Sequence, residues 1–99
     1  MNDCANIKEI IIDGSQVTSK EEFFSVLRNQ IGEDVLIGSN LDALHDALTS
    51  LTAPSDITIV ERELLEQNLG TYWEKIYEVL MDCLDENYDL SVSFEELNL

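Results

Sequence analysis

Asp42, His45, Asp46 and Thr49 are the residues of this chain whose types and spacing could do chemistry together. Separations of three and four residues put them on one side of an α-helix, where two carboxylates, an imidazole and a hydroxyl would be presented side by side. Asp42, His45 and Asp46 have the composition of a metal site or of a general acid–base set. Three side chains from one exposed turn rarely close a selective site, however, and no HxxxH-type cluster supplies further ligands. The other reading of the same face is a solvated polar surface with no chemistry of its own. A second acidic group, Glu78, Asp82, Asp85 and Glu86, lies further along the chain. Glu78, Asp82 and Glu86 are four apart and line one helical stripe, in which neighbouring like charges repel by a few tenths of a kcal/mol per pair. Such a stripe is either simply solvated or offered to cations on a partner.

The elements that must position these residues are legible in the spacing of apolar side chains. Leu41, Leu44, Leu48 and Leu51 make a buried stripe on the helix that carries Asp42 to Thr49. Ser39 or Asn40 can cap its first N–H groups, and Asp42 lies in the first turn, where the helix dipole favours an anion. Upstream, residues 7–13 are rich in β-branched side chains and stop at the Asp13-Gly14 turn signal. Their nearly continuous apolar centre predicts a strand covered on both faces. A helix follows from Thr18 or Ser19, with capping-box spacing to Glu21 or Glu22, a buried side of Phe23, Phe24, Leu27 and Ile31, and an end at Gly32.

Downstream of the central helix, Pro54 prevents further helix. A strand is predicted over residues 56–61, and a short helix from Arg62 to Leu69 stops at Gly70. Thr71, with Glu74 at capping-box spacing, is expected to cap the next helix. Its apolar stripe is Trp73, Ile76, Leu80, Cys83 and Leu84, and Asn87 stops it. Residues 89–94 alternate as a third strand, with Leu90, Val92 and Phe94 on one face, and the last residues read as a tail. The order β-α-α-β-α-α-β implies parallel pairing with right-handed crossovers. The expected fold is therefore α/β, a small three-stranded parallel sheet with packed helices, in a single domain spanning 1–99 with its core at about 7–94.

Charge is the strongest compositional fact. Twenty-one acids against five bases give a formal net charge of −16. Such a surface is repelled by nucleic acid and by anionic membranes and is attracted to a basic partner, although it also serves plain solubility. At 44% hydrophobic residues the chain can fill a compact core. No apolar run approaches the length of a membrane span, and the start Met1-Asn2-Asp3-Cys4 lacks a signal-peptide pattern, which makes the cytoplasm the expected location. The two cysteines, Cys4 and Cys83, lack the spacing of a zinc site, and Cys83 falls within the apolar stripe of its helix. The four glycines form no phosphate loop, and there is no Gly-x-Ser-x-Gly elbow. No metal and no cofactor is expected.

The run Gly38-Ser39-Asn40-Leu41-Asp42-Ala43-Leu44-His45-Asp46-Ala47-Leu48-Thr49 resembles the second helix of the barstar family, intracellular inhibitors of a secreted ribonuclease. The pattern Gly-x-Asn-Leu-Asp-Ala-Leu-x-Asp-x-Leu-Thr agrees in order and spacing. The stretch Glu86 to Val92 is similar, less specifically, to the family's approach to its last strand. The resemblance implies the barstar-like fold and inhibition by plugging. The second helix and the loop before it enter the nuclease cleft, and a carboxylate takes the place of an RNA phosphate.

Position by position, the resemblance gives Asp46 the role of that carboxylate and makes Asp42 the second buried acid. It makes Asn40, Leu41 and Thr49 neighbouring contacts, and Asp82 and Glu86 acidic positions on the last helix. Leu36, Ile37 and Gly38 fall in the loop before the helix. Leu36 and Ile37 stand where the family often carries aromatics, His45 where it carries tryptophan, and Ser50 where glycine is usual.

These departures point to a cognate enzyme other than barnase, such as a nuclease toxin for which this chain is the immunity protein. His45 then either stacks on a base-binding residue of that enzyme or is an exposed helix residue. The expected partner is a basic ribonuclease or nuclease toxin in a 1:1 complex, with the free chain monomeric and without binding to nucleic acid or membrane. Two rival readings remain open: a barstar-fold interaction module for a basic protein that is not a nuclease, and a metal-dependent enzyme centred on Asp42, His45 and Asp46.

Overall fold

A computed structural model of the chain describes residues 7–32, 38–51 and 53–95. Its elements are β1 (Lys8–Asp13), α1 (Lys20–Ile31), α2 (Leu41–Thr49), β2 (Ser55–Val60), α3 (Arg62–Leu69), α4 (Thr71–Glu86) and β3 (Leu90–Glu95). The strands form one parallel sheet in the order β1-β2-β3. This is the α/β arrangement expected from the alternation of strands and helices.

The register stacks side chains into rows across the sheet. Ile10, Ile57 and Val92 make one row, and Ile12, Ile59 and Phe94 the next. These rows face the helices. Ile10, Ile12, Ile57 and Ile59 are buried with Phe23, Phe24 and Leu27 of α1, Leu44 and Leu48 of α2, Leu65 of α3, and Ile76 and Leu80 of α4. The alternate rows, Glu9–Asp56–Ser91 and Ile11–Thr58–Ser93, lie on the other, more exposed face. The expectation that β1 is covered on both faces is therefore corrected. Ile11 remains 48% exposed, because the helices cover one face only and β1 is an edge strand. Its outer backbone groups are nonetheless satisfied. The Ile11 N–H donates to Gln30 Oε1 at 2.7 Å, and Gln30 Nε2 donates to the Ile11 carbonyl at 2.6 Å. A side-chain amide from α1 thus occupies an edge that would otherwise invite another strand.

Local signals explain most boundaries. Ser19 caps α1 by accepting from the Glu22 N–H, while the Glu22 carboxylate reaches back to the N–H and hydroxyl of Thr18. Those two bonds hold the Glu22 carboxyl below the usual carboxylate range. α3 starts after Glu61, which has φ 57°, and ends at Gly70, where φ is 61°.

Two features tie α3 to the end of β1. Asn68 Nδ2 donates to the carbonyls of Gly14 and Val17 at 3.2 and 3.0 Å. Gly14 itself leaves no room for a side chain, since a Cβ there would overlap the Glu61 carbonyl oxygen and lie 2.9 Å from the Leu65 nitrogen.

The expected Thr71 cap is corrected. Thr71 is the first helical residue, and Gly70 stands at the N-cap without a side-chain bond. The glycine that ends α3 also starts α4, so no residue is left between them for a hydroxyl cap. Asn87 ends α4 as expected.

Candidate partner-binding face

α2 begins as its sequence demands. Asn40 has extended backbone, and its Oδ1 accepts from the Ala43 N–H at 2.8 Å. Ser39, the other candidate cap, instead accepts from Arg28 Nη2 at 2.6 Å, which ties the lead-in of α2 to the last turn of α1. Gly38 lies close against this cap, as a Cβ there would come within 3.3 Å of both the Ala43 Cβ and Asn40 Nδ2. Leu44, Ala47 and Leu48 are buried, and Leu41 and Leu51 are partly buried against the core. Burying the leucine side holds the opposite side in a fixed orientation.

Asp42 and Asp46 stand exposed on that opposite side. Thr49 is half-buried, and its hydroxyl donates to the His45 carbonyl at 2.8 Å. The short β-branched side chain thus directs its hydroxyl proton to the preceding turn of its own helix. Ser50 is exposed and has φ −92°, an ordinary right-handed value, so the position that usually holds glycine needs none here. Leu36 and Ile37 lie outside the described residues.

His45 has a partner within the chain. It is half-buried at the seam between α2 and α4, with Nε2 2.9 Å from Glu86 Oε2. The Glu86 hydrogen bond raises the imidazole pKa above 6.5, burial opposes this, and the charges of Glu86, Asp82 and Asp46 add to the rise. The imidazole of the candidate metal set with Asp42 and Asp46 is thus engaged by a carboxylate of another helix.

Further bonds lock the two helices together. Asn87 Nδ2 donates to the carbonyls of Leu48 and Leu51 at 2.9 and 3.2 Å, satisfying the end of α2 from the end of α4. The Cys83 thiol points at the His45 carbonyl, 3.8 Å away. Cys83 is free and buried, as its place in the apolar stripe implied, and burial first, then Glu86 and Asp82, pushes its pKa up to about 11. It is a neutral thiol at physiological pH, not a nucleophile.

α2 and α4 therefore present one surface. Asp46 from α2 and Asp82 and Glu86 from α4 converge around His45, and all three acids are exposed. The sequence shows the two acidic groups separately. It carries no signal for the His45–Glu86 contact, which joins residues 41 positions apart. Among the described residues, no helix is long and apolar enough to cross a membrane, and no three His, Cys, Asp or Glu side chains are placed to hold a metal ion.

Comparison with known proteins agrees with this architecture. The model of the barstar (barnase inhibitor) family matches residues 7–95. A protein of Bacillus subtilis (strain 168), named "Putative ribonuclease inhibitor YrdF", is 30% identical over 84 residues, covering 84% of this chain and 92% of that protein. With its three parallel strands, its paired helices and this match along nearly its whole length, the chain belongs to the barstar family.

Proposed function

We propose that this protein inhibits a basic ribonuclease, as an immunity protein against a nuclease toxin, by seating α2 in the enzyme's cleft as a 1:1 complex. The observation that carries the reading is the joint acidic face, with Asp42 and Asp46 exposed on a helix whose other side is locked into the core, and Asp82 and Glu86 beside them. A cleft that binds RNA must be cationic to hold phosphates. A preordered carboxylate can replace a phosphate there with little loss of conformational freedom. Asp46 takes that role, Asp42 supports it, and the cap at Asn40 fixes where the first turn starts. Family membership and the name of the Bacillus relative support inhibition over catalysis.

Affinity capture from the source cells tests the reading, with the intact chain and Asp46→Ala as parallel baits. The captured material is assayed for RNA cleavage after denaturing release and refolding. The expected outcome is a basic protein with nuclease activity, retained by the intact chain and lost by the variant. Loss of one carboxylate from a desolvated charge pair should weaken binding by about 2–5 kcal/mol. Equal capture by both baits overturns the plugging mechanism. A captured partner without nuclease activity moves the protein to the interaction-module reading.

A further inference from the structure

α4 carries a second feature that the α2 face does not use. Its acidic stripe continues backwards from Glu86 and Asp82 through Glu78 to Glu74, one carboxylate every four residues, over roughly 18 Å of helix. At that far end it borders a groove of about 740 Å³ between α3 and α4, walled by Trp73, Tyr77 and Arg62 with Glu66, Glu74 and Glu78. The aromatic rings run in series, with Trp73 to Tyr77 6.2 Å and Tyr77 to Phe94 6.1 Å between centroids. Trp73 is only 4% exposed, whereas Tyr77 and Phe94 are 39% and 37% exposed. Water therefore covers an aromatic surface edged by carboxylates.

We propose that this groove is a second protein-docking site, and that it takes an arginine-bearing segment of a basic protein partner. Two observations select that occupant. The first is charge: three carboxylates stand against one guanidinium, and that guanidinium is already engaged. The second is the manner of that engagement. Arg62 lies over the Phe94 ring at 5.3 Å while its Nε pairs with Glu66 at 3.3 Å. The wall already holds one guanidinium by an aromatic face and a carboxylate at once. Tyr77 lines the same groove together with Glu74 and Glu78 of its own helix, and among the described residues no cation lies over its ring. A planar guanidinium stacks and pairs simultaneously, and a lysine ammonium, compact and more strongly hydrated, does this less well. The proposal does not depend on the nuclease reading, since the groove is separated from Asp46 by most of α4.

Trp73 is the only tryptophan, so its emission reports on the groove directly. The test is a titration of the full chain at low salt with a hexa-arginine peptide, with hexa-lysine as comparison. The expected result is a saturable change in Trp73 emission with hexa-arginine and a response at least threefold weaker with hexa-lysine. Glu74→Gln with Glu78→Gln, and separately Tyr77→Ala, should weaken the hexa-arginine response about tenfold. These side chains are exposed, and an unchanged far-UV spectrum establishes that the variants fold. Asp42→Asn with Asp46→Asn removes the same number of charges from α2 and should leave the Trp73 titration within twofold. Equal weakening by the two double variants reduces the effect to net charge and overturns the site. So does peptide binding that leaves Trp73 unmoved, and equal responses to arginine and lysine overturn the assignment of the occupant.

Discussion

His45 binds Glu86 most strongly as the imidazolium, so its folded pKa lies above 6.5. The stabilisation is therefore full below the unfolded value, as long as Glu86 is ionised, and is lost as pH rises through the raised folded value. Both side chains are substantially exposed, at 39% and 53%, which places the contribution in the range of solvent-exposed pairs, about 0.2–1 kcal/mol. Comparing the melting of the native chain with Glu86→Gln across this window should show a gap near pH 6 that closes at more alkaline pH. A constant gap would mean that Glu86 acts through something other than His45. Asp46 behaves differently. Being exposed, it contributes little to the fold, so Asp46→Ala should melt within about 0.5 kcal/mol of the native chain while losing partner affinity.

At the scale of elements, the seam between α2 and α4 decides how rigid the acidic face is. Asn87 closes α2 from outside by donating to the carbonyl of Leu48 in its last turn, a group that the helix itself leaves without an intrahelical donor, and to that of Leu51 just beyond the helix. Asn87→Ala removes both bonds and should destabilise the protein by about 1–2 kcal/mol in urea unfolding. Asp85→Ala, exposed two residues earlier, should change little. A matching effect at both positions would show that α2 needs no support from α4. Gly14 plays the corresponding part between β1 and α3. Gly14→Ala would drive a methyl group into the backbone at Glu61 and Leu65, and a loss of about 2 kcal/mol or more is expected.

For the whole molecule, the net charge of −16 sets kinetics more than structure. A field of that sign draws in a basic partner from beyond contact distance, and salt screens it. Stopped-flow association with the captured nuclease should slow by about tenfold or more between about 0.05 and 0.5 M salt. The dissociation rate should change far less, because the contacts that hold the complex are short-range. An association rate indifferent to salt would leave the acidity with no role beyond solubility.

Local and periodic features were legible in the chain itself. Leucines at helical spacing, a cap at Ser39 or Asn40, the stop at Asn87 and the alternating third strand depend on interactions within a few residues, and the structure has each of them, with Asn40 as the cap. The central helix was specific enough to imply the family and the position of Asp46 and Asp42 on one exposed side. Periodicity could not say how many faces of the sheet are covered, because an apolar run reads alike in an edge strand and a central one. Hence Ile11 is open where β1 seemed buried. Nor could spacing show which hydroxyl caps a helix when one glycine serves two helices, as at Gly70. The placement of His45 against Glu86, the joining of two acidic groups into one face, and the aromatic groove at the far end of α4 all came from packing. They depend on side chains far apart in sequence, brought within reach only when the apolar stripes of α2, α3 and α4 are buried together.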